Sequence, residues 1–418
     1  MSHSPLLLQL LVIIGTARLL ALGLARIGQP PVIGEMIGGL VLGPIVFGAL
    51  APQWHAQLFA PGSLGALNGL AQIGLAVFMF IVGAELRLPG GARERIVAAG
   101  RVGVLSVVLP MALGFAIAPI LHPRFAPAGV AFAPFALFVA ASMAITAFPV
   151  MARILKERAM TQTAIGRLAL TSAAFADVLA WIALALVVAL IASGSGWPRF
   201  GATLAGLVAL VAVSFLVVRP ALARLLARRA PDGKPSGMML ALLMILLFAY
   251  AALTQQIDLH AVFGAFLFGA CLPRDDRLLG SLVERLEHVA IVVLMPVFFA
   301  LAGLNTTADA FNGGGGLALV LILIAAIVGK VVGGAAGARW SGMDWRTSVA
   351  VGGLMNARGL MELIVMKIGL DIGVIGKEMF TMLLVMAIVT TLMTTPMLAY
   401  FGRTRREREP DLDAKEIV

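Results

Sequence analysis

Asp177 is the only acid in "LTSAAFADVLAWIALAL" (170–186), and Thr171 and Ser172 precede it by about a turn and a half. An ionised side chain at the centre of a bilayer costs at least roughly 2.5–3.5 kcal/mol on insertion scales, so such a residue is kept for a partner or a task. A buried carboxylate can hold a proton. It can equally hold a hard monovalent cation in company with hydroxyl and carbonyl oxygens. Burial and nearby cations act on its proton affinity in opposite directions, and their balance can set proton exchange near neutral pH. Oxygens of the required kind occur in "ASMAITAFPVMARIL" (141–155), which carries Ser142, Thr146 and Pro149. A proline there lacks an N–H donor and clashes with the Ile145 carbonyl, so the helix is expected to break. In lipid the freed backbone groups must be satisfied by protein or by a water-filled cavity. Asp177, Thr146, Ser142, Ser172 and freed carbonyls near Pro149 are therefore the candidate proton and cation ligands.

A second polar, interrupted stretch is "VGGLMNARGLMELIVMKIG" (351–369). Its glycines, Gly359 among them, weaken the helix, and Arg358 and Glu362 stand four residues apart on one face. They read as a structural ion pair, as charge compensation for an ion site between two half-helices, or as both. Lys330 lies in "IVGKVVGGAAGAR" (327–339), where Gly329, Gly333 and Gly337 at four-residue spacing admit a close neighbouring helix. The lysine is expected either to pair with a carboxylate across that approach or to snorkel to the span's end. Glu35, Glu85, Arg18 and Arg26 fall near span ends or loops and read as anchors. Asp258 and His260 read as a satisfied polar edge, and the sole cysteine, Cys271, as a small packing residue.

These residues need a membrane around them, and composition supplies it. Of 418 residues, 61% are hydrophobic and only 12% charged. Apolar runs of about 20 residues recur throughout. Thirteen candidate spans lie near 5–25, 31–50, 63–87, 96–121, 129–157, 163–193, 200–226, 237–254, 258–272, 286–304, 316–338, 346–368 and 378–401. The net charge of +10 is not a nucleic-acid footprint, because the basic residues cluster in alternate loops. Arg93 and Arg95, Arg153 and Lys156, Arg219 to Arg229, Arg277 and Arg285, and Arg339 and Arg346 follow odd-numbered spans. Only Arg124, Arg199 and Lys377 follow even ones. The positive-inside rule then places the N-terminus outside and the C-terminus, with its short charged tail 403–418, in the cytoplasm. The apolar start has no basic n-region, so the first span reads as retained.

The chain also repeats itself. "VFMFIVGAEL" (77–86) and "VFFALAGLNT" (297–306) share V-F-x-x-x-x-G, and "GPIVFG" (43–48) is echoed by "GAFLFG" (264–269). Each is followed by a plain span and then by an interrupted one. Repeat one would cover about 5–193, a linker helix about 200–226, and repeat two about 237–401, within a membrane domain of 1–402. An offset of seven spans reverses direction, so the repeats are inverted. Interrupted helices at matching positions of inverted repeats point to a secondary transporter with its site where they cross.

Seven segments in order carry a family resemblance: "QPPVIGEMIGGLVLGP" (29–44), "IGLAVFMFIVGAEL" (73–86), "SMAITAFPVMARIL" (142–155), "ADVLAW" (176–181), "FGAFLFGACLPR" (263–274), "MPVFFALAGLNT" (295–306) and "MNARGLMELIVMKIG" (355–369). The chain resembles the monovalent cation:proton antiporter superfamily, in the branch of plant cation/proton exchangers and bacterial antiporters. The resemblance implies an all-α polytopic fold of thirteen helices, with a scaffold or dimer domain and a mobile core of spans 4–6 and 11–13. The family's ion-binding aspartate falls on Asp177, its broken-helix threonine on Thr146, its basic residue on the second crossing helix on Arg358, and its lysine on Lys330. Many relatives carry two polar residues where this chain has Ala176-Asp177, which bears on stoichiometry.

The expected function is exchange of Na⁺ or K⁺ for protons across the cell membrane by alternating access. The partners are those ions, the bilayer and a second copy of the chain. No cofactor, enzymatic activity or nucleic acid is expected. A channel or uniporter fits interrupted repeats around a single carboxylate less well, and a sodium-coupled organic solute symporter is the other transport alternative. An intramembrane aspartyl hydrolase lacks its second acid, and a zinc hydrolase lacks His-Glu-x-x-His.

Overall fold

The computed structural model describes residues 5–85, 93–161, 163–192, 197–230, 232–257, 259–273 and 275–401. The tail 403–418, together with Asp258, lies outside them. Among the described residues there are helices and no strands. Within the described residues, ten helical stretches are long and apolar enough to cross a membrane, and two shorter apolar helices, Phe132–Ala144 and Ala261–Ala270, accompany them.

The first half runs through α1 (Leu6–Ala25), α2 (Pro31–Leu42), the short α3 (Phe47–Leu50) and α4 (Pro52–Leu58), α5 (Leu64–Glu85) and α6 (Arg93–Phe125). It continues with α7 (Phe132–Ala144), α8 (Phe148–Glu157) and α9 (Ala164–Ala192). A connecting stretch follows, α10 (Trp197–Val213) passing through a π-helical turn into α11 (Arg219–Arg229). The second half comprises α12 (Gly237–Gln256), α13 (Ala261–Ala270), α14 (Asp276–Val289), a second π turn, α15 (Met295–Leu304) and α16 (Gly315–Trp340). It ends with α17 (Trp345–Met355), α18 (Leu360–Asp371) and α19 (Lys377–Phe401).

The helices pack in two sets. One set joins α1, α2, α5, α12, α13 and α15; the other joins α6, α7, α9, α16, α17 and α19 with the half-helices α8 and α18. Across the boundary α2 packs against α19.

Two crossings hold the first set. A Cβ on Gly303 of α15 would lie 1.8 Å from the Gly39 carbonyl oxygen of α2. A Cβ on Gly83 of α5 would lie 2.1 Å from the Phe266 carbonyl oxygen of α13, where Gly269 faces Phe80 in return. Backbones touch directly there, and any side chain would drive them apart. Gly83 and Gly303 are the closing glycines of the two V-F-x-x-x-x-G segments, so each half presses its glycine against the other half. Overpacking of this kind typically costs about 1–3 kcal/mol or more. Gly303→Val is therefore expected to lower the melting temperature and the yield of folded protein in detergent. Gly316→Val, with open space around its Cβ, is the control expected to leave both unchanged. Equal melting of the two variants would sink this account of the crossing.

In the second set, α16 lies along α6. Cβ atoms on Gly329, Gly333 and Gly337 would meet the α6 backbone at Pro110, Leu105 and Val102. That is the close approach the four-residue spacing predicts, and it leaves Lys330 fully buried.

Two sequence expectations change here. Glu35 is not an anchor at a span end: it is buried in α2 and paired with Arg18 of α1 at 3.2 Å. Lys330 does not snorkel: among the described residues its hydrogen bonds go to neutral oxygens, while the Asp177 and Glu362 carboxylates lie within electrostatic reach. His260, read as a polar edge, caps α13 by accepting from the Val262 N–H.

Candidate functional site

Both interruptions are real breaks. α7 stops at Ala144, Ile145 is extended, and the helix resumes at Phe148. Pro149 is thus the second residue of α8, a position in the first turn where a missing N–H costs no intrahelical bond. In the second break α17 ends at Met355 and α18 starts at Leu360. Gly359 sits at that restart, where a Cβ would come within 2.8 Å of Val150 of α8. The two unwound segments meet: the Ala147 N–H donates to the Ala357 carbonyl at 3.0 Å.

The charges match the exposed helix ends. The last carbonyls of a helix have no intrahelical donors and carry partial negative charge. For α7 they receive two cations. Arg358 donates from Nη1 to the Ser142 carbonyl at 3.3 Å and from Nη2 to the Met143 carbonyl at 2.6 Å. Lys330 donates to the Ala144 carbonyl and, at 2.6 Å, to the Thr146 hydroxyl. Conversely, Glu362 sits in the first turn of α18, at the positive end of that half-helix, and binds Arg358 at 2.8 Å. All three ionisable side chains are fully buried.

Asp177 lies mid-way along α9 and is 3% exposed. The Phe148 N–H, at the start of α8, faces its carboxylate, and the Lys330 ammonium is within electrostatic reach. Its Oδ1 has no hydrogen-bond partner among the described residues. A buried acceptor left open in this way is costly unless something occupies it, and a proton or a cation is what a carboxylate oxygen takes. Thr146 is also fully buried, its hydroxyl already receiving Lys330.

Other expected ligands enter differently. The Ser142 hydroxyl donates to Phe138 in its own helix at 2.9 Å, so this residue contributes its carbonyl, not its hydroxyl. Ser172 is buried, its hydroxyl without a hydrogen-bond partner among the described residues, but α9 runs unbroken through it. Five residues at about 100° each turn it well away from the Asp177 face. Residues that sequence reasoning passed over hold the second break in place. Thr391 of α19 accepts from the Arg358 N–H at 3.0 Å and stands 2.8 Å from the Arg358 carbonyl. Asn356 donates to the Thr390 carbonyl at 3.1 Å. The signal was present as threonine pairs in "VTTLMTTP" (389–396), buried in an otherwise apolar span.

The profile of the family described as "Sodium/hydrogen exchanger, transmembrane" matches residues 10–400 of this arrangement. This chain belongs to that exchanger family. It is 37% identical over 394 residues to the Na⁺/H⁺ antiporter NhaS4 of Synechocystis, covering 94% of this chain and 96% of the relative. It is 32% identical over 408 residues to the K⁺/H⁺ antiporter 1 of Saccharomyces cerevisiae and 37% over 395 residues to the cation/H⁺ antiporter 17 of Arabidopsis thaliana. The chain spans about half the length of these yeast and plant relatives (46% and 48%). Its fold is similar to that of the sodium/proton antiporter NhaP1 from Methanocaldococcus jannaschii, with a TM-score of 0.62 at 13% identity over 94% of this chain and 98% of that one. The exchanger is thus a multi-pass membrane protein whose polar groups converge on two meeting helix breaks.

Proposed function

We propose that this exchanger swaps Na⁺ or K⁺ for protons by alternating access, with proton and cation competing for Asp177. The observation that carries the reading is the buried Asp177 carboxylate, open at Oδ1, set at the start of half-helix α8 beside Lys330. Thr146 and backbone oxygens of the breaks complete an oxygen environment suited to a monovalent cation. Arg358, Lys330 and Glu362 compensate the charges and helix ends around it. The ten long helices, the broken pairs α7–α8 and α17–α18, and short α13 together make thirteen crossings as two inverted repeats. The set containing the breaks is the moving core, and the other set is the scaffold through which two copies pair. Basic loops put the N-terminus outside and the C-terminus in the cytoplasm of a cell membrane. Proton flux in proteoliposomes, with each cation added in turn, tests the exchange directly. No cation-driven proton flux with either Na⁺ or K⁺ would overturn it.

Stoichiometry follows from the site. Ala176 is fully buried beside Asp177 and brings no second acid. One proton or one monovalent cation leaves the loaded site with equal charge, so exchange is expected to be one-for-one and electroneutral. Membrane potential acts on each net charge moved by about 2.3 kcal/mol per 100 mV. Flux of Na⁺ measured with the potential clamped by potassium and valinomycin should therefore be flat across imposed potentials. A steep response would defeat the electroneutral reading and point to Lys330 or Glu362 as a second titrating group.

A further inference from the structure

We propose that Gln29 is a latch between the two packing sets, gripping a carbonyl on α19 that Pro396 leaves without a helical donor. Pro396 lies inside α19. In an α-helix the N–H of each residue bonds the carbonyl four residues back, so the missing N–H of Pro396 strands the Leu392 carbonyl. A stranded carbonyl at membrane depth needs a donor from elsewhere. The donor comes from the other set: Gln29, in the turn between α1 and α2, gives its Nε2 to the Leu392 carbonyl at 3.2 Å.

Two details make this a committed contact. The Gln29 main-chain N–H is already used on the Leu24 carbonyl at 3.1 Å. Its side-chain Oε1 is buried without a hydrogen-bond partner among the described residues, so the amide is held for its donor end alone. The contact also adjoins the site. Leu392 directly follows Thr390 and Thr391, the residues that hold Asn356 and the Arg358 backbone in the second break. Gln29 thereby ties the α1–α2 turn to the stretch of α19 that clamps the broken helix.

The role rests on the alternating-access reading, in which one bundle rocks against the other around the site. A hydrogen bond across the boundary survives in one arrangement and breaks in the other, so it biases the equilibrium between them. An intramolecular hydrogen bond of ordinary strength corresponds to a bias of roughly two- to tenfold. Pro396 is then the reason that the carbonyl depends on this donor, since an N–H at that position would satisfy it whether or not Gln29 is in reach.

The test is a double-mutant cycle on the full chain. Hydrogen–deuterium exchange of the α19 segment, in detergent and without transported cation, reads the opening of the boundary. Gln29→Leu should speed exchange there two- to tenfold. In a Pro396→Ala background, which restores the helical donor, the carbonyl no longer needs Gln29, and the same change should have a clearly smaller effect. Gln29→Asn, one methylene too short to reach, should give the same acceleration while keeping a polar side chain in the turn. In proteoliposomes the apparent cation KM should move by the same factor in the parent and by less in Pro396→Ala, a split that a loss of folded protein alone does not produce. Unchanged exchange in both Gln29 variants, or an equal increase with and without Pro396, overturns the latch. A coupled hydrogen-exchange result in protein that transports no cation would instead leave the latch standing and remove the exchange reading.

Discussion

Asp177→Asn protein should insert and fold normally, yet its cation-driven proton flux should fall to that of empty liposomes with Na⁺ and with K⁺ alike. The carboxamide keeps the shape of the side chain while losing the charge that holds a cation and the basicity that takes a proton. It also relieves a buried carboxylate, so thermal stability should be unchanged or higher. The contrast sharpens with ligand present. A cation bound only by the folded state at a hundred times its Kd stabilises by about 2.7 kcal/mol, and that increment should vanish in Asp177→Asn. Wild-type flux, or a retained cation-induced rise in melting temperature, in well-folded variant protein would move the site elsewhere.

Arg358→Ala should damage folding and transport together. Removing one member of a buried pair typically costs about 3–5 kcal/mol, because the remaining charge is left uncompensated. Here the loss strands Glu362 and also removes the donors to the Ser142 and Met143 carbonyls at the end of α7. Arg358→Lys should recover part of the stability, since an ammonium supplies charge but lacks the planar fork that reaches two carbonyls and a carboxylate at once. Pairing Arg358→Ala with Glu362→Gln should restore stability further without restoring flux, because the Ser142 and Met143 carbonyls stay without the Arg358 donors. Thermal melts and flux assays on the four proteins give the answer. Unchanged melting and flux in Arg358→Ala would mean that the guanidinium only fills space.

Asp177, Arg358, Glu362 and Lys330 were legible in the sequence because an ionisable residue within an apolar run is costly and therefore conspicuous. The breaks were legible for a similar reason, through Pro149 and Gly359. What could not be read was who meets whom. Lys330 settles on the Ala144 carbonyl and Thr146 because the end of a broken helix offers acceptors that no residue spacing reveals. Ser142 acts through its main chain, and a carbonyl has no signature in the residue type. Glu35 looked like an anchor because its partner Arg18 lies on a neighbouring helix, and only packing shows that α1 and α2 bring the two together in a buried position. Gln29 was invisible on the same grounds: a polar residue in a turn is ordinary until the carbonyl it reaches is known to be stranded.

The glycine crossings also impose an order of assembly. Gly39 and Gly83 enter the bilayer early in synthesis, but the surfaces they fit, at Gly303 and Gly269, are made only when the second half emerges. Chains are made at about 5–20 residues per second, and contacts distant in sequence close late. Through that interval α2 and α5 stand in lipid with bare backbone grooves, unable to close on each other. The first half is therefore unfinished on its own, and this packing set locks only when the last partners arrive. A nascent chain stalled before α13 should be the species most open to mispairing and to capture by membrane quality control.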